Sequence, residues 1–183
     1  ADALKGSQTR LIGPNTPGII TPRQCRIGIM PGEIFKAGSI GVISRSSTLT
    51  YEAIDQTTRV GLGQSTCVGV GGDPVHGLGF SECLELFRND ADTEAVVLIG
   101  EVGGSEEEQA AEYLQSVVYG KPVIACIVGE HVPDNTRMGH ASAIIKSSSG
   151  TAASKKQVLA DAGVHVVDSP VSLGAEVDKI LRS

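Results

Sequence analysis

With 183 residues, 40% hydrophobic residues, 3% aromatics and 23 glycines, the chain has the size of one domain with an aliphatic core and glycine-shaped loops. A formal net charge of −6 gives no footprint for nucleic acid, and the aromatic shortage argues against stacking a base or a flavin. The sequence has no apolar run of about eighteen residues, so no membrane span is expected.

Residues 1–22 read as an arm or interdomain linker, because Gly13-Pro14-Asn15-Thr16-Pro17-Gly18 is dense in turn formers. An apolar run follows at Ile27–Met30, before Pro31-Gly32. Ser39–Ser44 is short, apolar and β-branched, the pattern of a buried strand. From Ser47 to about Val60, Leu49, Ala53, Ile54 and Thr57 recur at helical spacing, and Gly61 and Gly63 end the helix. Ser65–Val70 reads as a strand, Gly71-Gly72-Asp73-Pro74 as a loop, and Phe80–Phe87 as a helix with Leu84 and Phe87 inward. Ala95–Ile99 is a strand. Ser105–Val118 is a helix with three acids in its first turn, where the dipole favours them, with Ser105 as N-cap and Glu108 at the capping-box position.

Pro122–Val128 is the next strand, and Met138–Ile145 reads as helical, followed by a serine-rich loop over Lys146–Gly150. A helix at Lys155–Ala162, a strand at Val164–Val167 and a helix at Leu173–Leu181 complete the chain. This alternation predicts an α/β fold over 23–183, a doubly wound, flavodoxin-like parallel sheet of five strands. Ligands in such folds lie beyond the carboxyl ends of the strands. The hydroxyl-rich loop at 44–48, the loop at 71–74, Glu101 and the segment before His140 should therefore gather on one sheet edge.

Three of these places can carry chemistry. Ser46-Ser47-Thr48 opens a helix, where free N–H groups, the dipole and hydroxyls receive an anion; the same residues are also ordinary N-caps. Glu101 follows an apolar strand and precedes two glycines. It is either a solvated loop residue or the acceptor that fixes a histidine tautomer and leaves the other ring nitrogen to attack phosphorus. His140, between Gly139 and Ala141, is either a backbone-bonded helix-start histidine or a residue kept clear of bulk to meet a phosphate. His76 and His131 lie in polar loops and His165 in a strand. Cys25, Cys67, Cys83 and Cys126 form no C-x-x-C pair and read as buried, reduced thiols. A reducing compartment follows, and no leader pattern marks the first twenty residues.

The runs GPNTPG, ISRSSTLTYEA, STCVGVGGDP, TEAVVLIGEVGGS and RMGHASAII, in this order from Arg10 onward, resemble the C-terminal ligase domain of the succinyl-CoA synthetase α-subunit family. The resemblance implies a flavodoxin-like domain of an acid–thiol ligase that joins succinate to CoA through succinyl phosphate, with ATP or GTP and Mg²⁺. His140 falls on the family's phosphorylated histidine and Glu101 on the glutamate that supports it. Ser46, Ser47 and Thr48 fall on its phosphate-cradling helix start, and Tyr51 on a substrate contact shared with the β subunit. The nucleotide and Mg²⁺ are expected on that β subunit, and CoA mainly on a preceding Rossmann domain. No glycine-rich strand–loop–helix start lies ahead of residue 10, so that domain is expected to be absent from this sequence and the chain inactive alone. The resemblance places the protein in the cytoplasm, or in the mitochondrial matrix of a eukaryote.

Ser47 and Ser142 stand where the family usually has glycine, and Ser142 is expected to narrow the approach to the histidine. Citrate– and malate–CoA ligases share the phosphohistidine design and stay open as alternatives, as does a non-catalytic flavodoxin-like binding module. The latter would be marked by a His140 that never takes up phosphate.

Overall fold

The computed structural model describes residues 4, 6–133, 136, 137, 139–145 and 150–183. Seven strands form one sheet: β1 (Gly18–Thr21), β2 (Cys25–Gly28), β3 (Ala37–Ser44), β4 (Gln64–Gly69), β5 (Ala95–Glu101), β6 (Val123–Val128) and β7 (His165–Val167). Their order is β2-β1-β4-β3-β5-β6-β7. The five strands from β4 to β7 are parallel, and β1 and β2 add an antiparallel ribbon at the β4 edge.

Counted by themselves, the parallel strands run second-first-third-fourth-fifth, the flavodoxin-like order. The expected five-stranded sheet is therefore present, widened by two strands that the sequence pattern does not announce. All four residues of β2 are exposed, so no alternation of buried and exposed positions marks it. β1 has four residues between Pro17 and Pro22, inside the segment read as an arm.

Helices cover both faces. α1 (Ser47–Arg59) and α5 (Leu173–Leu181) pack Ala53, Ile54, Leu173 and Val177 against Ile40, Val42, Val97, Ile99 and Ile124. On the other face, α2 (Phe80–Asn89), α3 (Glu106–Ser116) and α4 (Ala152–Asp161) bring Leu84, Phe87, Ala110, Leu114 and Leu159 onto Ile43, Val68, Val96, Leu98 and Ala125. Successive strand residues thus feed opposite layers, which is why Ile40–Ile43 of β3, Ala95–Gly100 of β5 and all of β6 carry no polar side chain.

Two helical expectations need correction. Ser105 stands at the N-cap of α3, but its side chain bonds no backbone N–H and instead accepts from Gln109 Nε2 at 2.9 Å. The acids of the first turn are drawn elsewhere, Glu106 to the N–H of Phe80 at 3.1 Å and Glu107 into the interior. The stretch read as a helix over Met138–Ile145 is not helical where it is described. His140–Ser142 form a bend and turn, and Arg137 and Ile144 make an isolated antiparallel bridge. The apolar spacing that imitates a helix comes from Ala143 and Ile145, which bury inward from an irregular segment. Met138 and most of the serine-rich loop, 146–149, lie outside the described residues.

Candidate functional site

The topological switch point lies between β3 and β5, where connections leave for opposite sides of the sheet. Register pairs Ser44 with Gly69 and with Ile99, so the strand ends that carry Arg45, Val70 and Glu101 lie at one edge. Glu101 is the last residue of β5 and is 8% exposed. Its two carboxylate oxygens lie 2.9 and 2.8 Å from His140 Nδ1. Among the described residues, Nε2 of His140 has no hydrogen-bond partner, and the side chain keeps 25% of its surface open to solvent. Of the two readings the sequence leaves for Glu101, the geometry supports the histidine acceptor.

The ring lies close against Gly72: a Cβ there would sit 2.2 Å from His140 Cγ and Nδ1. That contact explains one glycine of the loop after β4. The imidazole segment is fixed a second time through Ser142, whose hydroxyl donates to Gly72 O at 2.6 Å while its N–H reaches the same carbonyl at 3.3 Å. Gly103, at φ +77°, leaves room for this segment, because a Cβ would meet Ser142 O at 2.2 Å and Ile144 N at 2.6 Å.

Arg45 organises the site from beneath, and the motif reading passes over it. It follows β3 and is 3% exposed. Its Nη2 lies 3.1 Å from Glu101 Oε1 and donates to Ser142 Oγ at 2.6 Å. Its Nη1 donates to Gly103 O at 3.0 Å and Glu107 Oε1 at 2.9 Å. Glu107 is fully buried and also accepts from Lys155 Nζ and, at 3.0 Å, from the N–H of Glu101. Burial alone would raise the pKa of Glu107. The charges of Arg45 and Lys155 and the hydrogen bonds from Lys155 and Glu101 N–H overcome it and hold the carboxyl below its ordinary value. Lys155, itself fully buried, also binds Glu108 Oε2 at 2.9 Å and Gly104 O at 3.2 Å. A charged residue at the carboxyl end of a buried strand is the signal that marks Arg45. For Lys155, on an ordinary-looking helix, no such signal exists.

Ser46 caps α1, accepting from the N–H of Leu49 at 3.3 Å, and its own carbonyl receives Thr50. The N–H groups of Ser47 and Thr48 are those left for an anion, one and two residues beyond the cap. This helix start is tied to the histidine through the preceding residue, Arg45, rather than by a direct contact. Tyr51 lies half-buried on α1 against the α1–α5 core, and no described contact joins it to His140. Ser142, expected to narrow the approach to the histidine, has its hydroxyl engaged by Arg45 and Gly72.

A cavity of about 420 Å³ adjoins the pair, lined by Arg45, Asp73, His76, Glu106, Gln109 and Ser142 among others. His76 Nε2 lies 3.4 Å from Glu106 Oε1 at its wall. The thiols are remote from this chemistry. Burial pushes Cys67 well above its ordinary value, and burial followed by the nearby Glu82 and Glu106 pushes Cys83 up to about 12. Cys25, expected to be buried, is exposed on β2.

Comparison with known proteins finds relatives that cover nearly the whole chain. A succinate–CoA ligase [ADP-forming] subunit alpha from Aquifex aeolicus is 55% identical over 94% of this chain and 56% of its own length. The same subunit from Methanothermobacter thermautotrophicus is 56% identical over 91% of this chain and 56% of its own length. The chain thus spans about half the length of the curated relatives it matches. Among solved structures, ATP citrate lyase from Methanothrix soehngenii, in complex with citrate and coenzyme A, superposes with a TM-score of 0.91. It does so at 24% identity, over 99% of this chain and 31% of that one, a likeness of fold. Residues 43–165 match the CoA-ligase family model, a span that holds Arg45, the Glu101–His140 pair and the network beneath it, and the chain belongs to the CoA-ligase family.

Proposed function

We propose that this chain is the phosphohistidine-carrying domain of a succinate–CoA ligase, ADP- or GDP-forming. The observation that carries the reading is the imidazole held at Nδ1 by both oxygens of Glu101, with Nε2 unpartnered among the described residues. A carboxylate at Nδ1 fixes the tautomer in which Nε2 carries the lone pair, and it stabilises the positive charge that grows on the ring as Nε2 bonds to phosphorus.

Nε2 attacks the γ-phosphorus of the nucleotide, and the diphosphate leaves as the β–γ bridging P–O bond breaks. The phosphoryl group passes from Nε2 to a succinate carboxylate oxygen, which gives succinyl phosphate and a free imidazole. The CoA thiol, losing its proton, then displaces phosphate to form the thioester. Glu101 makes no covalent bond in these steps. The α1 start at Ser46, Ser47 and Thr48 receives the phosphate of phosphohistidine, chiefly through the N–H groups of Ser47 and Thr48 and the helix dipole. Tyr51 meets substrate at the contact with the partner.

Mg²⁺ is proposed to arrive with the nucleotide on a β subunit. CoA is proposed to bind mainly on a further domain outside residues 1–183. The relatives' names support the succinate assignment and the need for a partner subunit.

The test is labelling of the assembled ligase with γ-labelled ATP. The label should sit on His140, survive alkali, vanish on brief acid treatment and be absent from His140→Asn. Undiminished labelling in that variant, or no label on the wild type, would overturn the assignment and leave a non-catalytic module.

A further inference from the structure

The Glu101–His140 pair does not stand by itself. One nitrogen of one buried guanidinium, Arg45 Nη2, touches both strands of the pair: Glu101 Oε1 at 3.1 Å and Ser142 Oγ, two residues beyond the histidine, at 2.6 Å. The same guanidinium is held from the far side by Glu107, and Glu107 by Lys155. Ser142 in turn bonds Gly72 O, in the residue against which the imidazole lies.

Resting on the phosphohistidine reading above, we infer that Arg45 and Ser142 are positioning residues for His140, and that Arg45 also sets the basicity of the imidazole by sharing the charge of Glu101. A carboxylate between an arginine and a histidine divides its attraction. Arg45 draws Oε1, so the imidazole shares the carboxylate with a second cation. Among the described residues, the charged groups around the pair are Arg45, which follows β3, Glu107 and Glu108 from α3, and Lys155 from α4. Asp73, His76 and Glu106 lie across the neighbouring cavity. Of these, Arg45 alone contacts Glu101 side chain to side chain. Ser142 contributes geometry and no charge: it ties the histidine segment to the guanidinium and to Gly72.

The two roles separate experimentally. The measurement is the pH dependence of single-turnover phosphorylation of His140 in the assembled ligase. Arg45→Met removes the shared charge but strands buried Glu107, so Arg45→Met/Glu107→Gln is the working variant; it leaves Lys155 its partner Glu108. In that variant the acid limb of the profile should move about one pH unit to the alkaline side. Arg45→Lys, which keeps the charge and loses the fork, should keep the wild-type limb and fall in rate. Ser142→Gly should slow phosphorylation roughly 3- to 30-fold with an unmoved limb, as a misplacement without a charge change does. An unmoved limb in the double variant, or a shift to the acid side, overturns the charge-sharing role. A wild-type rate in Ser142→Gly overturns the positioning role of Ser142. Failure of the wild type to label at all is a different result and overturns the phosphohistidine reading instead.

Discussion

At the scale of single residues, the site depends on three kinds of contact: a carboxylate on a ring nitrogen, a glycine beneath the ring and a buried charge that holds the carboxylate. Glu101→Gln keeps the shape and removes the charge. Losing a charge-assisted hydrogen bond worth about 1.5–3 kcal/mol should slow phosphorylation of His140 roughly 10- to 150-fold, measured by the rate of label uptake. Gly72→Ala should be at least as damaging although it adds only a methyl, because that methyl would fall 2.2 Å from the ring and must push it aside. A displacement of about 1 Å costs on the order of 100-fold, and unchanged labelling in Gly72→Ala would contradict the packing described.

Glu107 gives a prediction in pH. Its carboxyl is held below its ordinary value of 4.5, so it stabilises the fold fully above that value, and the stabilisation is lost as pH falls through the lowered value. Glu107→Gln should cost about 3–5 kcal/mol near neutrality and flatten the acid limb of a denaturation curve, because nothing then remains there to be protonated. A variant that keeps the wild-type acid limb would show that the network does not respond to this proton.

At the scale of elements, much was legible and the exceptions have physical causes. The apolar runs that became β3, β5 and β6 are buried on both faces, and the last helix keeps its expected bounds, Leu173–Leu181. What was hidden is what lacks periodicity. β2 is exposed throughout, β1 is short and flanked by prolines, and the His140 segment buries isolated side chains without a helix. His140, Glu101 and the α1 start could be singled out because strand ends concentrate chemistry in doubly wound folds. The place of Arg45 at a strand end marks it as a candidate, but its contacts, as much as 97 residues apart in the chain, and those of Gly72 and Lys155 follow no local pattern.

The α1 start itself is open to test. If backbone groups carry the phosphate, Ser47→Gly or Thr48→Ala should reduce labelling only a few-fold, since the dipole and amides remain. Thr48→Pro removes one amide and should reduce it far more. Equal, small losses in both kinds of variant would place the phosphate elsewhere.

At the scale of the whole molecule, helices on both faces give one sheet two continuous aliphatic layers, enough for the chain to fold by itself. The site, by contrast, opens at a sheet edge, and it is proposed to meet reactants carried by other bodies. Purified residues 1–183 should therefore show no micromolar CoA binding by calorimetry and no release of ADP or GDP. Either signal without added subunits would refute the proposed division of labour. Val75, in the loop after β4, is 76% exposed, and Val171, before α5, is 80% exposed.

Gly103 carries a consequence of another kind. The connection from β6 to α4 is long, and the sheet is complete without it. Yet the β5–α3 turn at Gly103 lies directly beneath this connection and bonds Gly150 at its far end, at 2.9 Å. A side chain at Gly103 would strain a backbone at φ +77° and at the same time lift the segment at 142–144 from its seat. The damage would fall first on a connection that gives the core only Ala143 and Ile145 among its described residues, and not on the sheet. Replacement of this glycine should thus yield a protein that melts as one cooperative unit and resists proteolysis in its sheet, but is cut early between β6 and α4 and no longer presents its imidazole. Loss of activity and loss of fold should therefore be uncoupled at this position.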